Sequence, residues 1–156
     1  MAIGRREFSK VLAAAAALGS AWSHAKDSAL PVPKSLPQAA LAAQAKGEPL
    51  VLLISLPGCV YCEQVRRSYL LALRADEGVH AWQLNVSDKT TSLIGFNGQP
   101  TTAARQAAAL KATFTPTVLF MGSQGQELAE RLVGIAVPDF YGAYLNQRLA
   151  AARKAL

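Results

Sequence analysis

Leu50-Val51-Leu52-Leu53-Ile54 is an unbroken apolar run, and shortly after it stand Cys59 and Cys62, the only two cysteines in the chain. A run of that length with no polar alternation reads as a strand buried on both faces, which demands helices on either side of a sheet. Pro57-Gly58 marks a turn, and from Val60 to Arg74 the residues Tyr61, Val65, Tyr69, Leu70 and Leu73 recur at helical spacing, with Gly78 as the stop. A strand that hands a Cys-x-x-Cys pair to a helix N-terminus is a layout for thiol–disulfide exchange. The competing readings are a structural disulfide, although so short a loop is strained and stabilises little, and a metal site. Two thiolates supply half of a tetrahedral zinc site, and the only histidines are His24 and His80, so no metal ligand set is assigned.

The N-terminus reads as an address rather than as part of the fold. Arg5-Arg6-Glu7-Phe8-Ser9-Lys10 precedes an uncharged, alanine-rich stretch from Val11 to Ser23, and Ser23-His24-Ala25 offers small residues at a cut after Ala25. Charged, apolar and small-residue regions in that order describe an export signal, with an apolar part too short to span a bilayer. The Arg-Arg-x-Phe-x-Lys spacing resembles the twin-arginine motif. The expected organisation is therefore a twin-arginine-like signal peptide over 1–25, a linker over 26–34 and one domain over 35–156, located in the periplasm. The alternative is a basic helix that stays on as an anchor. In the periplasm a cysteine pair can persist as a disulfide. The net charge of +6 draws on Arg5, Arg6 and Lys10 in this segment, and the remaining basic residues are scattered without interleaved aromatics. Nucleic-acid binding is not expected.

Past the signal, Ser35-Leu36-Pro37 reads as a capped helix start, running to Lys46 and closed by Gly47. Leu50–Ser55 is the first strand. Val79–Ser87 alternates, with His80, Trp82, Leu84 and Val86 on one face and Gln83 and Asn85 on the other, and is the second. Asp88–Pro100 reads as a polar loop in which Leu93, Ile94 and Phe96 pack over the domain. Thr101 or Thr102 caps an alanine-rich helix to Ala112. Thr117–Met121 is a third strand, joined by the Gly122–Gly125 turn to a fourth, Glu127–Val133. Pro138-Asp139 opens a last helix with Phe140, Tyr144, Leu145 and Leu149 on one side. Trp82, Phe120, Phe140 and Tyr144 are expected in the core, His80 in a structural role, and Arg66 and Arg67 on a solvated helix face. The order predicts an α/β fold with a mixed sheet.

Cys59-Val60-Tyr61-Cys62 after the first core strand, Gln83-Leu84-Asn85-Val86 in the second, Phe114-Thr115-Pro116-Thr117 before the third, and Gly134 after the hairpin occur in an order that resembles thioredoxin-like disulfide oxidoreductases, over Leu36 to Leu149. Among these the chain is similar to exported single-domain members, including those encoded with bacterial sulfur-oxidation systems. The resemblance implies a central four-stranded sheet of order 2-1-3-4 flanked by helices, here with an extra N-terminal helix. It also implies a cis proline at Pro116 lying against the active-site disulfide. It departs from thioredoxins proper at the Trp-Cys-Gly-Pro-Cys motif, where this chain has Gly58 before Cys59 and Val60-Tyr61 between the cysteines. Tyrosine before the second cysteine resembles periplasmic isomerases and glutaredoxins. Leu53 stands where thioredoxins bury an aspartate, and Gln83 where they place its lysine partner.

These residues carry the expected chemistry. Cys59, favoured as thiolate by the helix N-terminus, attacks a substrate disulfide, and Cys62, less exposed, resolves the mixed disulfide. Thr115 and Pro116 receive an extended substrate by strand addition, with Tyr61 and Gly58 as a collar around the sulfurs. With Leu53 in place of an acid, Cys62 is expected to lose its proton to water. No cofactor is implied. The partners implied are protein or small-molecule disulfides and a membrane thiol electron donor, with the chain acting as a monomer. Disulfide oxidation or isomerisation, or a redox-inert binding module on the same fold, are the alternatives.

Overall fold

The central strand of the sheet is the apolar run itself. In a computed structural model, which describes residues 29–156, β1 (Leu50–Ser55) is buried along its whole length. It pairs in parallel with β2 (Ala81–Asn85) on one side and antiparallel with β5 (Thr117–Met121) on the other. β6 (Glu127–Val133) completes a four-stranded sheet of order β2-β1-β5-β6. Counting only these core strands, that is the expected order 2-1-3-4, with the mixed pairing that the element order required.

Because side chains alternate along a strand, β1 feeds two separate cores. Leu50, Leu52 and Ile54 pack with Leu84, Leu119 and Met121 under α1 (Leu36–Gln44) and α4 (Ala103–Ala109). Val51 and Leu53 pack with Val118 and Phe120 under a long helical run and α5 (Tyr141–Lys154). That run consists of α2 (Val60–Val65), a π-helical turn (Arg66–Leu70) and α3 (Leu71–Asp76) without interruption. α1 is the expected extra N-terminal helix. Ser35 Oγ accepts from the Gln38 N–H, and Pro37 occupies the first turn, where its missing N–H costs nothing.

Three parts differ from the sequence-based expectation. Within Asp88–Pro100, β3 (Ser92–Ile94) and β4 (Pro100–Thr102) form a two-stranded sheet of their own. It holds Leu93 in the α1 core and lays Phe96 against Gly125, where an added Cβ would collide with the ring at 2.8 Å. α4 ends at Ala109 rather than Ala112, because Lys111 turns left-handed (φ 52°) and Arg131 of β6 donates to the Leu110 and Lys111 carbonyls. In α5 the inward face is Tyr141, Leu145, Leu149 and Ala152, while Phe140 is 59% and Tyr144 44% exposed. The short 3₁₀ turn Pro138–Phe140 delivers α5 with Tyr141, not Phe140, facing the sheet, so Phe140 and Tyr144 are not core residues. Phe120 is fully buried, and Trp82 packs at the margin of the α1 core with Arg74 over its ring.

The chain ahead of α1 lies along β2. Leu30 is buried, the Pro31 carbonyl accepts from the Gln83 N–H at 3.0 Å, and the Lys34 carbonyl accepts from the Ile94 N–H at 2.9 Å. The signal-like segment 1–25 lies outside the described residues. Among the described residues no helix is long and apolar enough to cross a membrane.

Candidate active site

β1 ends at Ser55, and the chain turns at once. The Cys59 N–H donates to the Leu56 carbonyl across Pro57-Gly58, and Gly58 takes φ +75°, as the third position of such a turn requires. The turn sets Cys59 at the N-cap of α2, where its Sγ accepts from the Cys62 N–H at 3.2 Å. Cys59 and Cys62 are joined as a disulfide, with Cα atoms 5.2 Å apart. The two sulfurs are not equivalent: Cys59 is half-buried, whereas Cys62 is 1% exposed against the sheet. Attack from outside is therefore open only at Cys59.

The second wall comes from the loop before β5. Ile54 pairs with Thr117, so the register places Thr115-Pro116 beside the exit of β1 from which the cysteine loop departs. The Thr115–Pro116 bond is cis. The Pro116 carbonyl is taken by the Gly134 N–H, and Thr117 Oγ1 donates to the Phe114 carbonyl. Thr115 is half-buried and Pro116 buried, while Phe114 stands out at 64% exposure. On the cysteine side Leu56, Val60 and Tyr61 are exposed too. Of the residues named from sequence, Cys59, Cys62, Gly58 and Tyr61 thus share one loop and helix start, and Thr115 and Pro116 reach the same end of the sheet from β5. Phe114 begins the same Phe-Thr-Pro-Thr segment, and nothing in the sequence alone marks it as an exposed aromatic just ahead of the cis proline.

The polar side of the site differs from expectation. Arg66 does not lie on a solvated helix face. Its side chain is buried, with Nε donating to Gln83 Oε1 and Nη2 to Ser55 Oγ, both at 2.9 Å, and Nη1 paired with the Glu63 carboxylate. Arg67, the next residue, is exposed and reaches the same carboxylate from outside. The hydrogen bond from Arg66, with the two arginine charges, holds the Glu63 carboxyl below its ordinary range. Leu53 is fully buried in the apolar core, so no acid occupies that place. Gln83 turns its side chain to Arg66 instead of to an acid. His80 is kept towards its neutral form by burial and by Lys46 and Arg74 nearby. Among the described residues no group of three or more His, Cys, Asp or Glu is arranged to hold a metal ion.

A thioredoxin-like domain family matches residues 36–149, nearly all of the described chain. The chain belongs to the thioredoxin-like family. With a Cys-x-x-Cys pair at the family's position, this thioredoxin-like protein is a thiol–disulfide oxidoreductase. Arabidopsis thaliana thioredoxin O2, solved in its oxidised state, has the same fold at 15% identity, covering 78% of this chain and 96% of that one with a TM-score of 0.50. Periplasmic thioredoxin SoxS from Paracoccus pantotrophus, in reduced form, is 24% identical over 67% of this chain and 99% of its own, with a TM-score of 0.44. The C-terminal domain of Neisseria meningitidis DsbD, in oxidised form, is 18% identical over 71% and 90% with a TM-score of 0.46. No curated protein sequence matches the chain at a significant level.

Proposed function

We propose that this thioredoxin-like protein is exported through the segment 1–25, cut near Ala25, and acts in the periplasm as a monomeric reductant of protein or small-molecule disulfides. In each turnover the Cys59 thiolate attacks one sulfur of the substrate disulfide, and the other substrate sulfur leaves as a thiolate. Cys62, as thiolate, then attacks Cys59 Sγ. The Cys59–Cys62 bond forms, the bond to substrate breaks, and the second substrate sulfur leaves. Two electrons pass from the protein dithiol to the substrate, and the protons of Cys59 and Cys62 end on the two substrate thiols through solvent. A membrane dithiol carrier returns the pair to its reduced form.

The observation that carries this reading is the asymmetry of the pair: a half-buried Cys59 at a helix N-cap and a sealed Cys62, beside exposed Val60, Tyr61 and Phe114. Thr115, ahead of the cis proline, offers its backbone to an extended substrate, and Tyr61 and Gly58 shape the opening around Cys59. The likeness to thioredoxin-type reductants supports the reducing direction.

Reduction of insulin disulfides with dithiothreitol as donor tests it. The wild type should accelerate the reaction, and Cys59→Ser should return it to the uncatalysed rate. Cys62→Ser should capture a mixed disulfide with substrate through Cys59. Equilibration in thiol buffers should place the potential near ~−270 mV; a value near ~−120 mV would mean an oxidant instead. Recovery of the exported protein with Lys26 at its N-terminus checks the address.

A further inference from the structure

Arg66 is a cation held away from water one helical turn behind Cys62: its backbone N–H donates to the Cys62 carbonyl. Three elements hold its side chain. Ser55 closes β1 just ahead of the cysteine loop, Gln83 comes from β2, and Glu63 adjoins Cys62 on α2. Each guanidinium nitrogen has its own acceptor, so the fork cannot swing out to solvent without breaking all three contacts. Two acceptors are neutral, and the one anion, Glu63, has its side chain 46% exposed. Water screens that carboxylate more than it screens the arginine, so the buried flank keeps a net positive charge. The other charged groups nearby do not cancel it. Arg67 is exposed and also positive, the loop after β2 turns Asp88 onto Thr90 and Thr91, and Phe114–Thr117 carries no charge.

We propose that Arg66, clamped by Ser55, Gln83 and Glu63, is a positioning residue that stabilises the thiolate of the reduced Cys59–Cys62 pair by its charge, with Glu63 attenuating it. This rests on the oxidoreductase reading above and adds how its second step proceeds. A guanidinium does not take up a proton at neutral pH. The site therefore sets a fixed cation one helical turn from Cys62 and has Leu53 where an acid could take the proton. Water removes the proton, and Arg66 favours the sulfur anion that remains before it attacks Cys59.

The test is a pH titration of thiolate ultraviolet absorbance on the fully reduced full-length protein, with the reduction potential measured in parallel. Arg66→Met should raise the apparent pKa of the pair by about one unit, a modest effect for a nearby opposite charge. It should also shift the potential to more negative values by up to about 30 mV, the equivalent of a tenfold change for a two-electron couple. Glu63→Gln, at a half-exposed site where folding is not at stake, should move both quantities the opposite way by a smaller amount. Arg66→Lys, which keeps the charge and loses the fork, should titrate closer to wild type than Arg66→Met. Opposite signs for the Arg66→Met and Glu63→Gln shifts support a charge effect. Shifts of the same sign, or none for Glu63→Gln, overturn it and leave Arg66 a packing residue. Thiolate titration needs no substrate, so a failure here is separable from a failure of insulin reduction by the wild type.

Discussion

The two faces of the sheet are built on different principles although they share β1. Under α1 and α4 the contacts are made by small residues: Ala39, Ala40, Ala43, Ala103, Ala107 and Ala112 meet leucines and Met121. Under the α2–α3 run and α5 the contacts are long or aromatic, with Val65, Leu70, Phe120, Tyr141 and Leu145, and Tyr69 tilted 5.1 Å from Tyr141. Small residues let helices approach the strands closely, and the polar side chain that α4 buries among them, Gln106, is uncharged. The second face buries a charge, Arg66. Its pattern along β1, Val51 then Leu53, continues to Ser55, where apolar packing gives way to the Arg66 clamp. The helix that begins at the disulfide packs on this second face through Val65.

That comparison makes ranked predictions. Phe120→Ala should cost most, about 3–5 kcal/mol in urea unfolding, because it opens a cavity in the face built from large residues. Ala43→Leu, which forces volume into the tight face, should cost about 1–3 kcal/mol through overpacking. A cost for Ala43→Leu near zero would show that α1 rides loosely and would dissolve the contrast. The smallest effect belongs to the polar edge. Glu63 has its carboxyl held below the ordinary value of 4.5 by the Arg66 hydrogen bond, so its contribution is present at neutral pH and is lost as pH falls through the lowered pKa. Because the group is half-exposed, that contribution should be at most about 1 kcal/mol. Wild type and Glu63→Gln should differ in thermal midpoint at pH 7 and converge in acid, where both side chains are neutral.

Much of this was legible from the residues alone, for physical reasons. β1, β5 and β6 occupy the positions expected of them, since an apolar run between turn residues leaves few alternatives. The Pro57-Gly58 turn and the Ser35 cap follow from local backbone chemistry. What escaped depends on long-range contacts. Arg66 looks like any charged helix residue until β1 and β2 are docked beside it with two acceptors in reach. The phase of α5 was missed because Phe140 precedes the helix proper, and only the 3₁₀ turn decides which aromatic faces inward. Lys111 ends α4 where glycine would have announced a stop, with Arg131 from β6 making that end tolerable. The β3–β4 pair is too short to carry a periodicity.

The strip of chain at Leu30-Pro31 has a consequence for how molecules meet one another. β2 is an edge of the sheet, and an open edge is a template on which a second copy can add a strand. Here the Pro31 carbonyl already occupies the Gln83 N–H, and Leu30 is sunk in the core beside it. Another chain can pair along β2 only by first peeling that strip away and exposing Leu30 to water. The stretch just ahead of α1 thus also works as a guard against sheet-to-sheet aggregation. It touches the same glutamine whose side chain steadies Arg66.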